Sequence, residues 1–194
     1  MVSNPVSGIS CCIIHILLRD QLILLKNRLD SVKSIAWHPL TLPTLLIESI
    51  PPGMQNSQTE LRDRLYDNER TVGTHKNYQR LDLHKERGYY SRGDEVWSRK
   101  GFNDAAAELT SVASESTSHE SSCQRILQLL EWLQGIEGEL SQAFPQPVQR
   151  RQSDLINEKL KFLQTTLRTV AIRATYLANR AQVQVQAVRF LQQP

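Results

Sequence analysis

Apolar residues near the end of the chain recur at alternating steps of four and three residues. The run is Ile156, Leu160, Leu163, Leu167, Val170, Ala174, Leu177, Ala181, Val188 and Leu191, interrupted only by Gln184. A period near 3.5 keeps one face of a helix turned toward the same neighbour, so the pattern predicts a long helix packed along another helix. We expect seven of these residues to form an interface with another chain: Ile156, Leu160, Leu163, Leu167, Val170, Leu177 and Val188.

A second apolar seam precedes this helix. It consists of Ile126, Leu129, Leu133, Ile136 and Leu140. Phe144-Pro145-Gln146-Pro147 ends it, and Ser153 is the predicted N-cap of the last helix because its hydroxyl can accept a first-turn backbone N–H. Asp104 to Val112 is also predicted to be helical, with an interruption expected in the Ser-rich stretch 114–122. Since the connection between the last two helices is short, residues 102–194 are predicted to form an antiparallel helical hairpin.

The first 58 residues follow a different pattern. Ile9 to Leu18 is rich in β-branched residues and Cys, and Leu22 to Leu25 is apolar again after the polar Arg19-Asp20-Gln21. Two short strands joined by a tight turn are therefore predicted, with a single amphipathic helix as the alternative. Leu40 to Ile50 is predicted to be a buried helix that ends before Pro51-Pro52-Gly53.

Residues 59–101 form a third type of segment. Leu61 and Leu65 lie among charged residues at a spacing that places both on one helical face. From Thr71 to Gly101 there is no period and there are four glycines, which predicts an irregular, exposed connection. The chain is thus predicted to be mainly α, in the α+β class, with a small N-terminal β-hairpin and segments 1–58, 59–101 and 102–194.

Charge is distributed unevenly, although the net charge is only +3. From Phe102 to Ala143 there is one base, Arg125, against seven acids, and from Arg150 onward there are eight bases against two acids. Opposite charge on neighbouring helices favours their pairing, so we expect the two segments to face each other. A nucleic-acid face on the basic segment is the alternative.

Aromatic and basic residues in the irregular connection raise the same alternative. Tyr89, Tyr90 and Trp97 lie among arginines and could stack on bases. No strand pattern or RNA-binding motif accompanies them, and we therefore expect no nucleic-acid partner.

The cysteine spacing and the hydropathy of the chain indicate its cellular location. Cys11, Cys12 and Cys123 do not form a spacing typical of a secreted disulfide framework. The apolar run from Ile9 to Leu18 is shorter than the ~20 residues of a membrane span and lacks the features of a signal peptide. We expect no transmembrane segment in this chain and a cytoplasmic location.

Three segments resemble a known family. Trp37 to Leu46, Glu69 to His75 and Leu160 to Gln186 are similar, in order and spacing, to the soluble part of fungal CorA-like divalent-cation transporter proteins. The resemblance extends from about Ile9 to Leu191. It implies a cytoplasmic α/β domain ahead of a very long helix, which in the family continues into the first membrane span of a homo-pentameric magnesium channel.

The chain departs from that family in the pore. There is no two-span membrane region and no Gly-Met-Asn motif, and Gly53-Met54 is followed by Gln55. The expected function is therefore that of a non-catalytic helical protein that assembles through its last helix with itself or a related full-length subunit, in the cytoplasm or at a membrane face. A stand-alone adaptor is one alternative. A truncated product without function of its own is the other, suggested by the ending Gln192-Gln193-Pro194.

Candidate chemistry is sparse. Glu131, Glu137 and Glu139 offer carboxylates to a hydrated Mg²⁺, which the family would also suggest, and the alternative is a solvated face neutralised by the basic helix. The histidines lack metal-ligand spacing and are predicted to be surface or turn residues: His38, His75, His84 and His119. No Gly-x-Ser-x-Gly frame or phosphate-binding loop is present, and no enzymatic activity is predicted.

Overall fold

The computed structural model describes residues 2–4, 9–11, 19–35, 38–72, 99–143 and 147–191, and these are mainly helical. The elements are strands β1 (Val2–Asn4) and β2 (Ile9–Cys11), helices α1 (Arg19–Ser31), α2 (Thr41–Glu48), α3 (Ile50–Val72), α4 (Arg99–Ala143) and α5 (Pro147–Leu191), and a 3₁₀ turn at Lys33–Ile35.

The predicted N-terminal hairpin is wrong. Leu22 to Leu25, its second strand, lies inside α1, where Leu, Arg, Gln and Lys favour a helix. Ile9–Cys11 is a short strand, but it pairs antiparallel with Val2–Asn4, so that Val2 lies opposite Cys11. Residues 12–18 of the predicted hairpin lie outside the described residues.

The predicted helix at Leu40 to Ile50 is present as α2, and Leu45 and Ile47 are buried on it. The chain does not leave helical structure at the two prolines, because α3 begins at Ile50. Proline is compatible with a first helical turn, whose N–H groups have no intrahelical partner. The helix predicted around Leu61 and Leu65 is the later part of α3, and both leucines are buried as expected.

Both long helices are continuous over 45 residues. The interruption predicted at 114–122 is wrong, because α4 runs through the Ser-rich stretch without a break. The predicted N-cap is also wrong, because α5 begins at Pro147 and Ser153 is a buried residue inside the helix. Proline at the first helical position explains the earlier start.

The chain divides into two compact units, each of which is discontinuous in sequence. The first combines Met1–Met54 with Ser122–Val170, and the second combines Gln55–Ser121 with Ala171–Pro194. Each unit therefore takes residues from distant parts of the chain, and α3, α4 and α5 each contribute to both.

In the first unit, α1 packs against α2, and α4 and α5 run antiparallel as the predicted hairpin requires. The Gln164 amide donates to Gln134 Oε1 at 2.9 Å, which joins α5 to α4. Lys159 Nζ lies 2.5 Å from Glu48 Oε1, which joins α5 to α2. The hairpin is thus tied to α2 in this unit.

In the second unit, three helices share one core. Its buried members are Leu61, Leu65, Ala105, Leu109, Val112, Ala113, Leu177, Ala181 and Val188. They come from α3, α4 and α5. The hairpin predicted over 102–194 is therefore part of a three-helix packing in this unit, and α3 supplies the third wall.

The apolar seam of α5 packs as its period predicts. The seven residues expected at an interface, Ile156, Leu160, Leu163, Leu167, Val170, Leu177 and Val188, are at most 5% exposed within the single chain. Gln184, which interrupts the run, is buried as well. The seam is already filled by the chain itself, so its use between chains stays a prediction that would require these helices to separate.

The seam predicted for α4 is offset by one residue. The side chains buried over this stretch are Cys123, Leu127, Leu130, Leu133 and Glu137. Leu129, a predicted seam residue, is 43% exposed, and Ile126, Ile136 and Leu140 are only half-buried. Only Leu133 belongs to both sets.

Candidate interaction surface

The outward side of α5 carries a row of exposed apolar side chains in the second unit. Ile172, Tyr176, Val183 and Phe190 are 69%, 56%, 62% and 73% exposed. Tyr176, Val183 and Phe190 are seven residues apart, and Ile172 lies one helical turn before Tyr176. Because Tyr176 is two residues after buried Ala174, it points about 200° away from the buried seam. We call these four residues the outer stripe.

The same position of the seven-residue repeat is apolar in the part of α5 that belongs to the first unit. Leu155 is 49% exposed and Phe162 is 60% exposed. Counting by sevens from Leu155 reaches Phe162, Thr169, Tyr176, Val183 and Phe190, so only Thr169 is polar. Exposed apolar residues scattered singly are normal on protein surfaces, whereas a regular row along one helix is typical of a docking surface.

Basic residues border this row. They are Lys161, Arg168, Arg173 and Arg189. All four are exposed, and none has an ion-pair partner within the part of the chain that the structure describes. The outward side of α5 therefore combines apolar contact area with uncompensated positive charge, which favours an acidic partner.

A partly buried ion pair positions Tyr176 of the outer stripe. Arg180 Nε and Nη2 donate to Glu69 Oε1 and Oε2 at 2.6 and 2.5 Å, and Glu69 is 1% exposed. Arg180 Nη1 donates to the Tyr176 hydroxyl at 3.0 Å, and the guanidinium carbon lies 4.8 Å from the centre of the Tyr66 ring. This bidentate contact fixes α5 against α3 and orients Tyr176.

The pKa of Arg180 reflects two opposing effects. Burial lowers this pKa, but the hydrogen bonds to Glu69 and Tyr176 outweigh burial and leave the pKa raised. Arg180 is consequently charged at any physiological pH, and its charge is neutralised by Glu69. It does not add to the free positive border of the outer stripe.

Acidic side chains of α4 form ion pairs with α3, whereas pairing with α5 was predicted. In the second unit, Arg64 of α3 binds Glu108 at 2.6 Å and Glu115 at 3.0 Å. None of the ion pairs among the described residues joins α4 to α5. The expected pairing of the acidic helix with the basic helix is therefore not found there. Exposed Glu131 and Glu139 have no basic partner in the part of the chain that the structure describes.

The Arg64 contacts shift two pKa values. A hydrogen bond from the Ser111 hydroxyl at 2.8 Å, followed by one from Arg64, lowers the pKa of Glu115. The hydrogen bond to Glu108 raises the pKa of Arg64, against the opposing effect of burial. Both shifts favour the charged forms, so this cluster links α3 to α4 at neutral pH.

The three predicted magnesium ligands do not come together. Glu131 and Glu139 are exposed, whereas Glu137 is buried and already bonded. At about 100° per residue, Glu137 lies roughly 240° around the helix from Glu131, which separates the carboxylates. Among the residues described, no group of three or more His, Cys, Asp or Glu side chains suits a metal ion.

Glu137 instead belongs to a buried polar cluster in the first unit. The Leu40 N–H donates to His38 Nδ1 at 3.2 Å, so Nε2 carries the ring proton and faces Glu137 Oε2 at 3.2 Å. The Ser153 hydroxyl donates to the other oxygen, Glu137 Oε1. The prediction that His38 is a surface or turn residue is wrong with respect to exposure, because its side chain is fully buried.

This cluster contains the residue types of a catalytic triad in a different order. The carboxylate lies between the hydroxyl and the imidazole, whereas nucleophilic catalysis requires the hydroxyl to bond the imidazole. His38 Nδ1 is also occupied by a backbone N–H. The arrangement connects the segment before α2 to α4 and α5.

A second Ser and His pair occurs in the other unit. Ser57 Oγ lies 3.3 Å from His119 Nε2, linking α3 to α4. Both residues are in helix interiors, where neighbouring backbone N–H groups are committed to helical hydrogen bonds and cannot form an oxyanion hole. His119 is half-buried in this contact, while His75 and His84 lie outside the described residues.

Neither membrane-spanning helices nor similar proteins help to assign a role to this surface. None of the helices in the described ranges has an apolar stretch of the length and hydropathy that a bilayer crossing requires. Comparison with protein-family models, with curated proteins and with solved structures finds no match for this chain. The CorA-like resemblance therefore stays a prediction.

The main feature missed from the sequence is the outer stripe. The seven-residue count that found the buried seam also fits Leu155, Phe162 and Val183, so the signal was present in the sequence. The contact of His38 carried no comparable signal, because its partner Glu137 is about a hundred residues away in the sequence.

Proposed function

We propose that this chain is a non-catalytic assembly protein whose last helix, α5, docks onto another helical chain through the outer stripe. The observation that carries the proposal is the row of exposed apolar residues at a seven-residue period, in which the Arg180–Glu69 pair positions Tyr176. A strict seven-residue period suits a helical partner, because two helices that supercoil meet repeatedly at that spacing.

The outer stripe is a better candidate than the buried seam for this role. Leu160, Leu167 and Val170 are fully buried in the single chain, and exposing them to a partner would first break the core. Ile172, Val183 and Phe190 require no such opening. Assembly through the last helix, as expected from the sequence, is therefore assigned to its opposite face.

The CorA-like resemblance gives this proposal a context. In that family the chain would correspond to the part outside the membrane, and its partner would be a second copy or a related full-length subunit. The Leu160 to Gln186 segment that carries the resemblance includes much of the outer stripe. A stand-alone adaptor would use the same surface on an unrelated helical partner.

The first experiment measures the mass of the purified chain in solution by light scattering over a range of concentrations. Ile172→Ser with Val183→Ser removes two exposed apolar contacts without touching the Arg180 cluster. Each fully buried aliphatic side chain is worth about 1.5–3 kcal/mol, so the variant should associate at least roughly a hundredfold more weakly.

Gln182→Ser is the matched control, because Gln182 is exposed on the same helix but lies about 100° around it from Val183. We expect the unmodified chain and this control to form the same discrete oligomer, and the Ile172/Val183 variant to be a folded monomer by circular dichroism. A monomeric unmodified chain, or an oligomer that the Ile172/Val183 variant leaves unchanged, would contradict self-assembly through this surface.

A further inference from the structure

We infer that the outer stripe of one copy docks on an exposed acidic face of α4 in a second copy. This face consists of Leu129, Trp132 and Glu139, with Glu131 on its border, all in the first unit, and we call it the acidic face. The inference rests on the proposed function and adds the identity of the partner surface. Both surfaces belong to the same chain, so the partner is a second copy.

The acidic face has its own apolar contact area. Leu129 is 43% exposed and Trp132 is 62% exposed. They are three residues apart on a continuous helix, and half-buried Ile136 follows one turn after Trp132. Residues at these spacings lie on one side of a helix, as an apolar row that packs on another helix requires. Large aromatic residues such as Trp132 often anchor protein interfaces.

Charge decides which surfaces pair. The outer stripe is bordered by Arg173 and Arg189, while the acidic face presents Glu131 and Glu139, and these four residues have no ion-pair partner within the described ranges. Pairing α5 with α5 would bring bases against bases, and pairing α4 with α4 would bring acids against acids. Only the crossed pairing brings opposite charges together and avoids the cost of like-charge contact.

Crossed pairing offers two equivalent contacts to a pair of copies. In a two-fold arrangement, each copy offers its outer stripe to the partner and receives the partner's outer stripe on its own acidic face. The two contacts are then identical, as expected for an isologous interface. Such an arrangement pairs charges of α4 and α5 that form no ion pair with each other among the described residues.

A helical partner fits the outer stripe better than an anionic membrane surface does. A helix that lies in a membrane interface has a broad apolar face. The residues one turn from Tyr176 and Val183 on the same side include exposed Asn179 and Gln186, which leave the apolar row narrow. Vesicle binding is therefore an outcome that would count against the inference.

The test is a charge-reversal complementation measured by light scattering. One variant carries Arg173→Glu with Arg189→Glu, and the other carries Glu131→Lys with Glu139→Lys. Each alone has only mismatched crossed contacts, so we expect its self-association to weaken about a hundredfold or more. An equimolar mixture regains matched contacts, and we expect its association to return to within about tenfold of the unmodified chain.

Lys26→Glu and Glu60→Lys are the matched controls, because they reverse exposed charges on other helices, α1 and α3, and should leave association unchanged. Circular dichroism of every variant checks that its helices persist. A mixture that stays monomeric would overturn the crossed pairing. Oligomers that are lost in Ile172→Ser with Val183→Ser but persist in the α4 variant would overturn it too, while leaving the proposed function intact.

Vesicles of phosphatidylcholine with and without phosphatidylserine distinguish the remaining alternative. We expect no binding to either, as measured by co-sedimentation. A monomeric chain that binds the anionic vesicles through Arg173 and Arg189 would overturn both this inference and the proposed self-assembly.

Discussion

The helices α4 and α5 are equal in length but differ in what they bury. The seam of α5 is mostly aliphatic, with fully buried Leu160, Leu167 and Val170. The seam of α4 includes Ser116 and Glu137 at positions as deeply buried as its leucines. Both helices form regular packing faces, yet only one of them is recognisable from apolar residues alone.

A polar residue can be buried in a helix seam where other segments of the chain supply partners for its polar atoms. Glu137 is accommodated because the Ser153 hydroxyl donates to one carboxylate oxygen and His38 Nε2 lies 3.2 Å from the other. Burying a charged or polar group without such partners costs several kcal/mol, on the order of 2–7 for an unpaired hydroxyl or amide. The packing face of α4 is thus made possible by groups from other parts of the chain.

The largest expected change in stability comes from substitutions that test which side of α4 is buried. Leu130→Ala should destabilise the protein by about 3 kcal/mol, because it removes a fully buried side chain and leaves a cavity. Leu129→Ala, one residue earlier, should cost less than about 1 kcal/mol, because Leu129 is largely exposed in the single chain. Urea unfolding followed by circular dichroism, at a concentration where the chain is monomeric, measures both.

Leu129→Ala is the matched control, since it makes the same chemical change on the neighbouring residue. Equal losses for the two variants, or a larger loss for Leu129→Ala, would show that α4 packs in the register of the apolar period and not in the one described.

A smaller effect of opposite sign is expected at Ser116. Its side chain is fully buried and its hydroxyl has no hydrogen-bond partner in the described part of the chain. Ser116→Ala should therefore stabilise the protein by about 1 kcal/mol, from removal of a buried unpaired hydroxyl and from better helix propensity. Thermal and urea unfolding measure the gain.

Ser114→Ala provides the comparison, because Ser114 lies on the same helix but is exposed. The free energy of unfolding of this control should rise only by the difference in helix propensity between Ser and Ala, a few tenths of a kcal/mol. A loss of stability in Ser116→Ala would mean that the hydroxyl makes a stabilising bond and that the α4 seam is less apolar than described.

The smallest expected effect concerns the ionic contacts of α4. The pKa of Glu115 is lowered from its ordinary value of 4.5 by Ser111 and Arg64, so the folded state favours the carboxylate. Its contribution is present above pH 4.5 and is lost as pH falls through the lowered pKa. Because Glu115 is 46% exposed, solvent screening keeps the contribution below about 1 kcal/mol.

Glu115→Gln measures this contribution. The free energy of unfolding should be lower in the variant than in the unmodified chain at pH 7, and the difference should shrink as pH falls below 4.5. A difference that stays constant down to pH 3 would mean that the charge of Glu115 is not its source.

Much of the helical architecture was predictable from residue patterns. The α5 seam, α2, and the burial of Leu61 and Leu65 agree with the structure because aliphatic residues at helical spacing have few alternatives to packing. The errors fall where local propensity and tertiary packing disagree. Ser-rich residues 114–122 are weak helix formers by themselves, but they continue α4 because the helices beside them bury its other face.

The candidate surface was less predictable than the fold. The seven-residue period of the α5 seam predicts an interface on that side, although a helix of this length can carry two such rows on opposite sides. Which row is buried depends on how much apolar surface the rest of the chain offers. Here α3 contributes Leu61 and Leu65 to the core, so the seam through Leu177 is filled and the row through Tyr176 is left exposed.

The sequence by itself determined that the last helix is long and buries one continuous apolar seam, because the period of its aliphatic residues matches the helix over many turns. It also determined the excess of acids on α4 and of bases on α5. Only the tertiary structure decided that the seam is covered within the chain, that Glu137 is buried, and that Ile172 and Phe190 are exposed. The reason is that burial depends on partners from distant segments, which a local period does not specify.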